Sequence, residues 1–132
     1  MTDNVEHPQH YESGPYECIL LTEQYSFNVG NMIKYVWRYR LKGHPVEDLQ
    51  KALWYANRAM QNGEAFHECD RDASDSNVSG IESIYWSGTL LRMKADTVTG
   101  TEHDFWLALL AEDTEMIPVI LSELLEETQE HG

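Results

Sequence analysis

Lys34, Arg38 and Lys42 recur at i, i+4 and i+8, and Lys51, Tyr55 and Arg58 follow at i, i+4 and i+7. On a helix either spacing keeps the side chains on one face, with a drift of about 40° per four-residue step. Phosphate suits such a stripe, because Arg and Lys give it charge-assisted hydrogen bonds. The stretch from Phe27 to Met60 holds six of the nine Lys and Arg residues in a chain of net charge -14. That concentration makes an anion or nucleotide site the first chemistry to consider. Trp54 or Tyr55 can stack on a base, and Asn31, near the start of the first stripe, can hydrogen-bond a sugar or base. Glu17, Glu23 and Asp48 can orient a metal or a cation. The competing reading is that these cations are solvated surface, with Asp48 and Lys51 an ordinary i, i+3 pair.

For these residues to act together, two helices must hold them. Met32, Ile33, Val36, Trp37 and Leu41 predict a helix from near Asn28 or Asn31 to Leu41, flanked by Tyr35 and Tyr39. Lys42-Gly43-His44-Pro45 ends it: Gly43 suits a position just past a helix and Pro45 the first position of the next. Val46, Leu49, Leu53, Ala56 and Met60, spaced 3, 4, 3 and 4, predict an amphipathic second helix to about Gln61 with these as its inner stripe. An antiparallel hairpin brings the two cationic stripes to a shared groove. The cations repel one another there unless an anion or carboxylates sit between them. Removing Arg38 is therefore expected to leave folding almost unchanged.

The remaining chain reads as support for that hairpin. Residues 1–15 form a turning arm with Pro8, Gly14 and Pro15, and Glu17 to Tyr25 a short helix. Residues 64–80, rich in Asp, Ser and Asn, read as an exposed connector. Ile84-Tyr85-Trp86 favours strand, so a short β-hairpin is allowed near 81–94. Helices follow from His103 to about Ala111 and beyond Thr114, the last with Ile117, Ile120, Leu121, Leu124 and Leu125 inward. The expected fold is mainly α: one compact helical domain, 1–132, built on a central helical hairpin. Its 102–130 segment is acidic, with no Lys or Arg between residues 101 and 132.

Composition limits the function classes. There is no run of 18 apolar residues and no basic, then apolar, N-terminal leader, so neither a membrane span nor a secretory signal is expected. Cys18 and Cys69 suit a reduced, cytoplasmic setting. The negative charge argues against direct binding to DNA. His7 and His10 stand at i, i+3 without a third ligand at a fixed spacing, so no metal site is expected from them. No Gly-x-x-x-x-Gly-Lys-Ser/Thr loop, Gly-x-Gly-x-x-Gly, Gly-x-Ser-x-Gly or His-Glu-x-x-His occurs. Phosphate chemistry here would have to use side-chain cations.

Taken in order, His7-Pro8-x-His10-Tyr11, Glu17-Cys18-Ile19, Phe27-x-x-Gly30-Asn31-x-Ile33-Lys34-Tyr35-x-x-Arg38, Lys42 and Asp48-Leu49-x-Lys51-Ala52-x-Trp54-Tyr55 form a pattern. It resembles a small phage-encoded domain family of mostly unassigned function that includes the T7-type phage nucleoside-monophosphate kinase. The resemblance covers residues 7–60. It implies a phage origin, a helical core, a nucleotide-related ligand and a place in the cytoplasm of the infected host cell. On that basis His10, Tyr11, Asn31, Lys34, Arg38, Lys51 and Tyr55 are the expected nucleotide and phosphate contacts, with Glu17 or Asp48 positioning Mg²⁺ or another cation. A kinase without a P-loop would need Mg²⁺ and two nucleotide subsites, which a homo-oligomer can supply. The alternative is a non-enzymatic inhibitor of a basic host defence protein, working through the acidic surface or by sequestering a nucleotide.

Overall fold

The computed structural model describes residues 14–68 and 87–131. Within them the chain forms six helices: α1 Cys18–Thr22, α2 Phe27–Arg38, α3 Pro45–Gln61, α4 Ser87–Ala95, α5 Thr101–Leu110 and α6 Met116–His131. The fold is mainly α, and no strand occurs among the described residues. The second half of the segment that allowed a β-hairpin near 81–94 is helix α4, whose Leu90 and Leu91 are buried. Leu90, Leu91, Lys94 and Ala95, the buried residues of this helix, stand at i, i+1, i+4 and i+5, which is one face of a helix. Residues 1–13 and 69–86, with His10 and Tyr11, lie outside the described residues.

The hairpin of α2 and α3 forms the centre. α6 packs on α3, α5 on α6, α4 on α5, and α1 on α2. α2 buries Val29, Met32, Ile33, Val36 and Trp37. It ends at Arg38, earlier than the apolar pattern predicts, so Lys42 and the 41% exposed Leu41 fall in the connecting turn. Pro45 takes the first turn of α3, and Glu47 and Asp48 complement the positive end of its dipole.

The inner face of α3 matches the predicted stripe at Leu49 and Ala56 and departs from it elsewhere. Leu49, Ala52, Ala56 and Ala59 are wholly buried, whereas Leu53 is only partly buried and Met60 is 43% exposed. Small side chains let two helix backbones approach closely, so alanines win the contact side over the larger residues. Close approach recurs at Gly30, where a Cβ would stand 3.0 Å from the Thr22 carbonyl oxygen.

One carboxylate joins the ends of the hairpin. α3 stops in a Schellman turn: Gly63 has φ 70°, and Glu64 N–H reaches the Ala59 carbonyl at 2.9 Å. That turn delivers Glu64 to the start of α2. There its carboxylate accepts hydrogen bonds from Ser26 Oγ (2.6 Å), Asn28 Nδ2 (2.5 Å) and Asn62 Nδ2 (3.0 Å). Two residues on, Phe66 is buried in the core, inside the stretch that composition reads as an exposed connector.

The core also contains charge. Lys94 and Glu102 are 6% and 3% exposed. The Lys94 ammonium lies 4.1 Å from the Trp37 ring centre, and Glu102 accepts from Trp106 Nε1 at 3.0 Å and faces Arg40 at 3.3 Å. Burial lowers the Lys94 pKa despite the nearby Glu102 carboxylate. Tyr39, buried and close to Glu102, has its hydroxyl pushed up to about 12 while accepting from Arg40 Nε.

Candidate functional site

α2 and α3 bring the predicted cations to one aromatic ring. Tyr35 has the Lys34 ammonium 4.7 Å from its centre, the Arg38 guanidinium at 5.4 Å and the Lys51 ammonium at 5.4 Å. Each approach is within cation–π range, a contact that stabilises by about 0.5–1 kcal/mol where solvent is near. Lys34 and Tyr35 are neighbours in sequence and point about 100° apart on the helix. The long lysine stem folds back over the ring. Lys51 comes from the facing helix, as the hairpin predicts.

Carboxylates offset the mutual repulsion of these cations. Asp48, 2% exposed, lies under Arg38, with Oδ1 at 3.7 Å from the guanidinium Nε. Its Oδ2 is buried without a hydrogen-bond partner. Lys51 stands 3.8 Å from Glu47 one turn back, with both side chains largely exposed. Arg38 is thus not a cation waiting on an outer face, and removing it would strand a buried carboxylate. The expectation that its loss leaves folding unchanged does not survive this geometry.

The aromatic residues extend the cluster. Tyr35 and Tyr55 stack with centroids 5.9 Å apart and planes at 11°. Trp54 and Phe27 meet Tyr55 edge-on, at 5.1 and 6.3 Å. Asn31 lies on this side of α2, and its amide donates to the Phe27 carbonyl at 2.8 Å. Arg58 leaves the cluster and lines a shallow pocket with Trp54, Asn57 and Gln61. Arg40 turns to Glu102 instead. Glu17 caps the start of α1 on backbone geometry. Among the described residues no three His, Cys, Asp or Glu side chains gather as a metal site, and no helix is long and apolar enough to cross a membrane.

The spacing of Lys34, Arg38, Lys51 and Tyr55 predicts converging faces, and the fold brings the four together. Tyr35, which the spacing assigns only to the flank of the apolar face, stands at their centre. Its position one after Lys34 and three before Arg38 is the signal that marks it. The arrangement can hold an anion against Lys34, Arg38 and Lys51 and lay a flat group against neighbouring rings.

No curated protein and no solved structure matches the chain. Residues 5–57, which contain α1, α2 and most of α3 and hence the whole cation–aromatic cluster, match the model of a family described as a protein of unknown function, DUF3310.

Proposed function

We propose that the protein binds a nucleotide on the α2–α3 face, with the phosphates among Lys34, Arg38 and Lys51 and the nucleoside against the Tyr55 side. The convergence of three cations on Tyr35 in a chain of net charge -14 carries this reading. A chain so acidic repels a long polyanion but can admit a small one to a local cationic patch. Asn31 would exchange its bond to the Phe27 carbonyl for a sugar or base contact.

In its finer form the proposal is a phage-encoded phosphotransferase without a P-loop, acting on nucleoside monophosphates in the infected cell. The cations would then neutralise charge on the transferred phosphoryl group. Mg²⁺ fits as a companion of the ligand phosphates, because it keeps several waters and needs only one or two carboxylates. Asp48 is the nearby carboxylate, but its Oδ2 is buried beside Arg38, so an ion there would have to displace the Arg38 contact; the ion, when bound, would supply screening of the phosphate charge.

Calorimetric titration with mono-, di- and triphosphates of each base, in moderate salt with Mg²⁺, tests binding. Lys34→Ala and Lys51→Ala are the informative changes, since neither side chain holds a buried carboxylate. Each should weaken nucleotide affinity about fivefold to tenfold, the scale of one charged hydrogen bond at a partly exposed site. Absence of binding by the wild type would overturn the reading. Chromatography of nucleotide products separates transfer from binding alone.

A second reading has its own observation. Glu123, Glu126, Glu127 and Glu130 are all exposed on α6, which carries no Lys or Arg. That surface suits a basic host protein. Neutralising the four together should abolish capture of such a partner, and unchanged capture would leave α6 a solvated face.

A further inference from the structure

The rings beside the cations differ in what they leave open. Tyr35 and Tyr55 are only partly exposed and stack face to face. Each gives one face to the other. Phe27 and Trp54 meet Tyr55 steeply, at 72° and 89°, and remain 75% and 59% exposed. The large accessible ring surface of this cluster therefore belongs to Phe27 and Trp54. Phe27 is the first residue of α2, held there by the Glu64 latch, and Trp54 lies in the middle of α3. Both stand one ring-to-ring step beyond the Tyr35–Tyr55 pair, on which the three cations converge.

That adjacency restricts the occupant. A wholly apolar partner would not need three cations beside it, and an extended polyanion would meet the repulsion of a strongly acidic chain. A small molecule with a flat apolar end and an anionic end satisfies both parts. We infer that Phe27 and Trp54 are the base-stacking residues of this site, receiving the aromatic base of a nucleotide whose phosphates lie among Lys34, Arg38 and Lys51. The inference rests on the nucleotide reading and adds its specificity element. Stacking uses the π-face that every base has, so the platform selects for a base without choosing sharply among bases. Discrimination by base edge would have to come from polar groups such as Asn31.

The test compares four ligands on four proteins. Nucleoside mono- and diphosphates, ribose 5-phosphate and inorganic pyrophosphate are titrated against the wild type, Phe27→Ala, Trp54→Ala and Trp54→Phe. Both positions are exposed, so melting temperatures should stay close to the wild type. The wild type should bind nucleotides about tenfold or more tighter than ribose 5-phosphate, the scale of one stacked base. Each alanine change should erase most of that margin while leaving pyrophosphate affinity unchanged, and Trp54→Phe should retain most of it. Bound nucleotide should also reduce acrylamide quenching of tryptophan emission in the wild type and do so less in Trp54→Phe, which keeps the other three tryptophans. Nucleotide affinity unaltered in both alanine variants would overturn the inference and leave the nucleotide reading standing. A change in sedimentation mass without a change in affinity would overturn it too, and assign the rings to contact between copies of the chain. If no nucleotide binds the wild type, the underlying reading falls and this inference falls with it.

Discussion

Glu64→Gln should weaken the fold at neutral pH and weaken it less in acid. The Glu64 carboxylate accepts three side-chain hydrogen bonds, from Ser26, Asn28 and Asn62, and a backbone N–H of Asn28. It thus does the work that a capping side chain usually does for the first turn of α2, where Ser26 makes no cap of its own. Loss of an N-cap costs about 1 kcal/mol, and loss of a negative charge at a helix N-terminus about 0.3–1 kcal/mol. Solvent reaches this site, so freed donors rehydrate instead of staying unsatisfied. Glu64→Ala should therefore cost about 1–2 kcal/mol at pH 7. Glu64→Gln keeps one carbonyl oxygen and should cost about half as much. Slight burial raises the Glu64 pKa, but the hydrogen bonds outweigh it and the net shift is downward. A carboxyl lowered on folding contributes stability that is present above its ordinary value of 4.5 and is lost as pH falls through the folded value. Urea melts of the wild type and Glu64→Gln from pH 7 to pH 3 should show a constant gap down to about pH 5 that narrows as pH falls below 4.5. A gap that does not narrow in acid, or none at pH 7, would refute the latch.

Ala56→Leu adds bulk at a wholly buried helix contact and should cost about 1–3 kcal/mol in urea melts, whereas Leu53→Ala, at a partly exposed position, should cost less. Glu112 has φ 57° at the end of α5, where its N–H bonds the Leu109 carbonyl, so Glu112→Gly should raise stability by about 1 kcal/mol in the same assay. Burial pushes the Cys18 thiol up to about 12 from its ordinary 9.0. A group raised on folding stabilises fully below its unfolded value and loses that contribution as pH rises. Wild-type stability should accordingly fall more steeply than that of Cys18→Ala above pH 9, as read by melting curves at stepped pH.

What the sequence made legible follows from which signals are local. The inner face of α2 is carried by bulky residues, Met32, Ile33, Val36 and Trp37, so periodicity alone finds it. That of α3 is carried by Ala52, Ala56 and Ala59. Hydrophobic patterning gives alanine little weight: the predicted stripe includes Leu49 and Ala56 but takes Leu53 and Met60 in place of Ala52 and Ala59, one position round the helix. Phe66 was hidden by polar neighbours, and its burial depends on the Schellman turn that redirects the chain after Gly63. Lys94 and Glu102 carry no local mark of burial. Their place is set by Trp37, Trp106 and Arg40, from helices distant in sequence.

The same rotation of α3 explains why the cation cluster forms. Asp48, Ala52, Ala56 and Ala59 follow one another by 4, 4 and 3 residues, so they share a stripe. When the alanines turn inward to let the backbones approach, Asp48 must turn inward with them. A buried carboxylate in the first turn of α3 then needs a cation, and Arg38, at the last turn of α2, stands where the antiparallel hairpin delivers one. Lys51 and Tyr55 lie three and seven residues after Asp48, along the edge of the same stripe, which brings them over Tyr35. The concentration of cations is therefore tied to the packing of the hairpin and is not a decoration of its outer surface. Spacing along each helix gave the members of the cluster. The small residues between the helices decide how it closes.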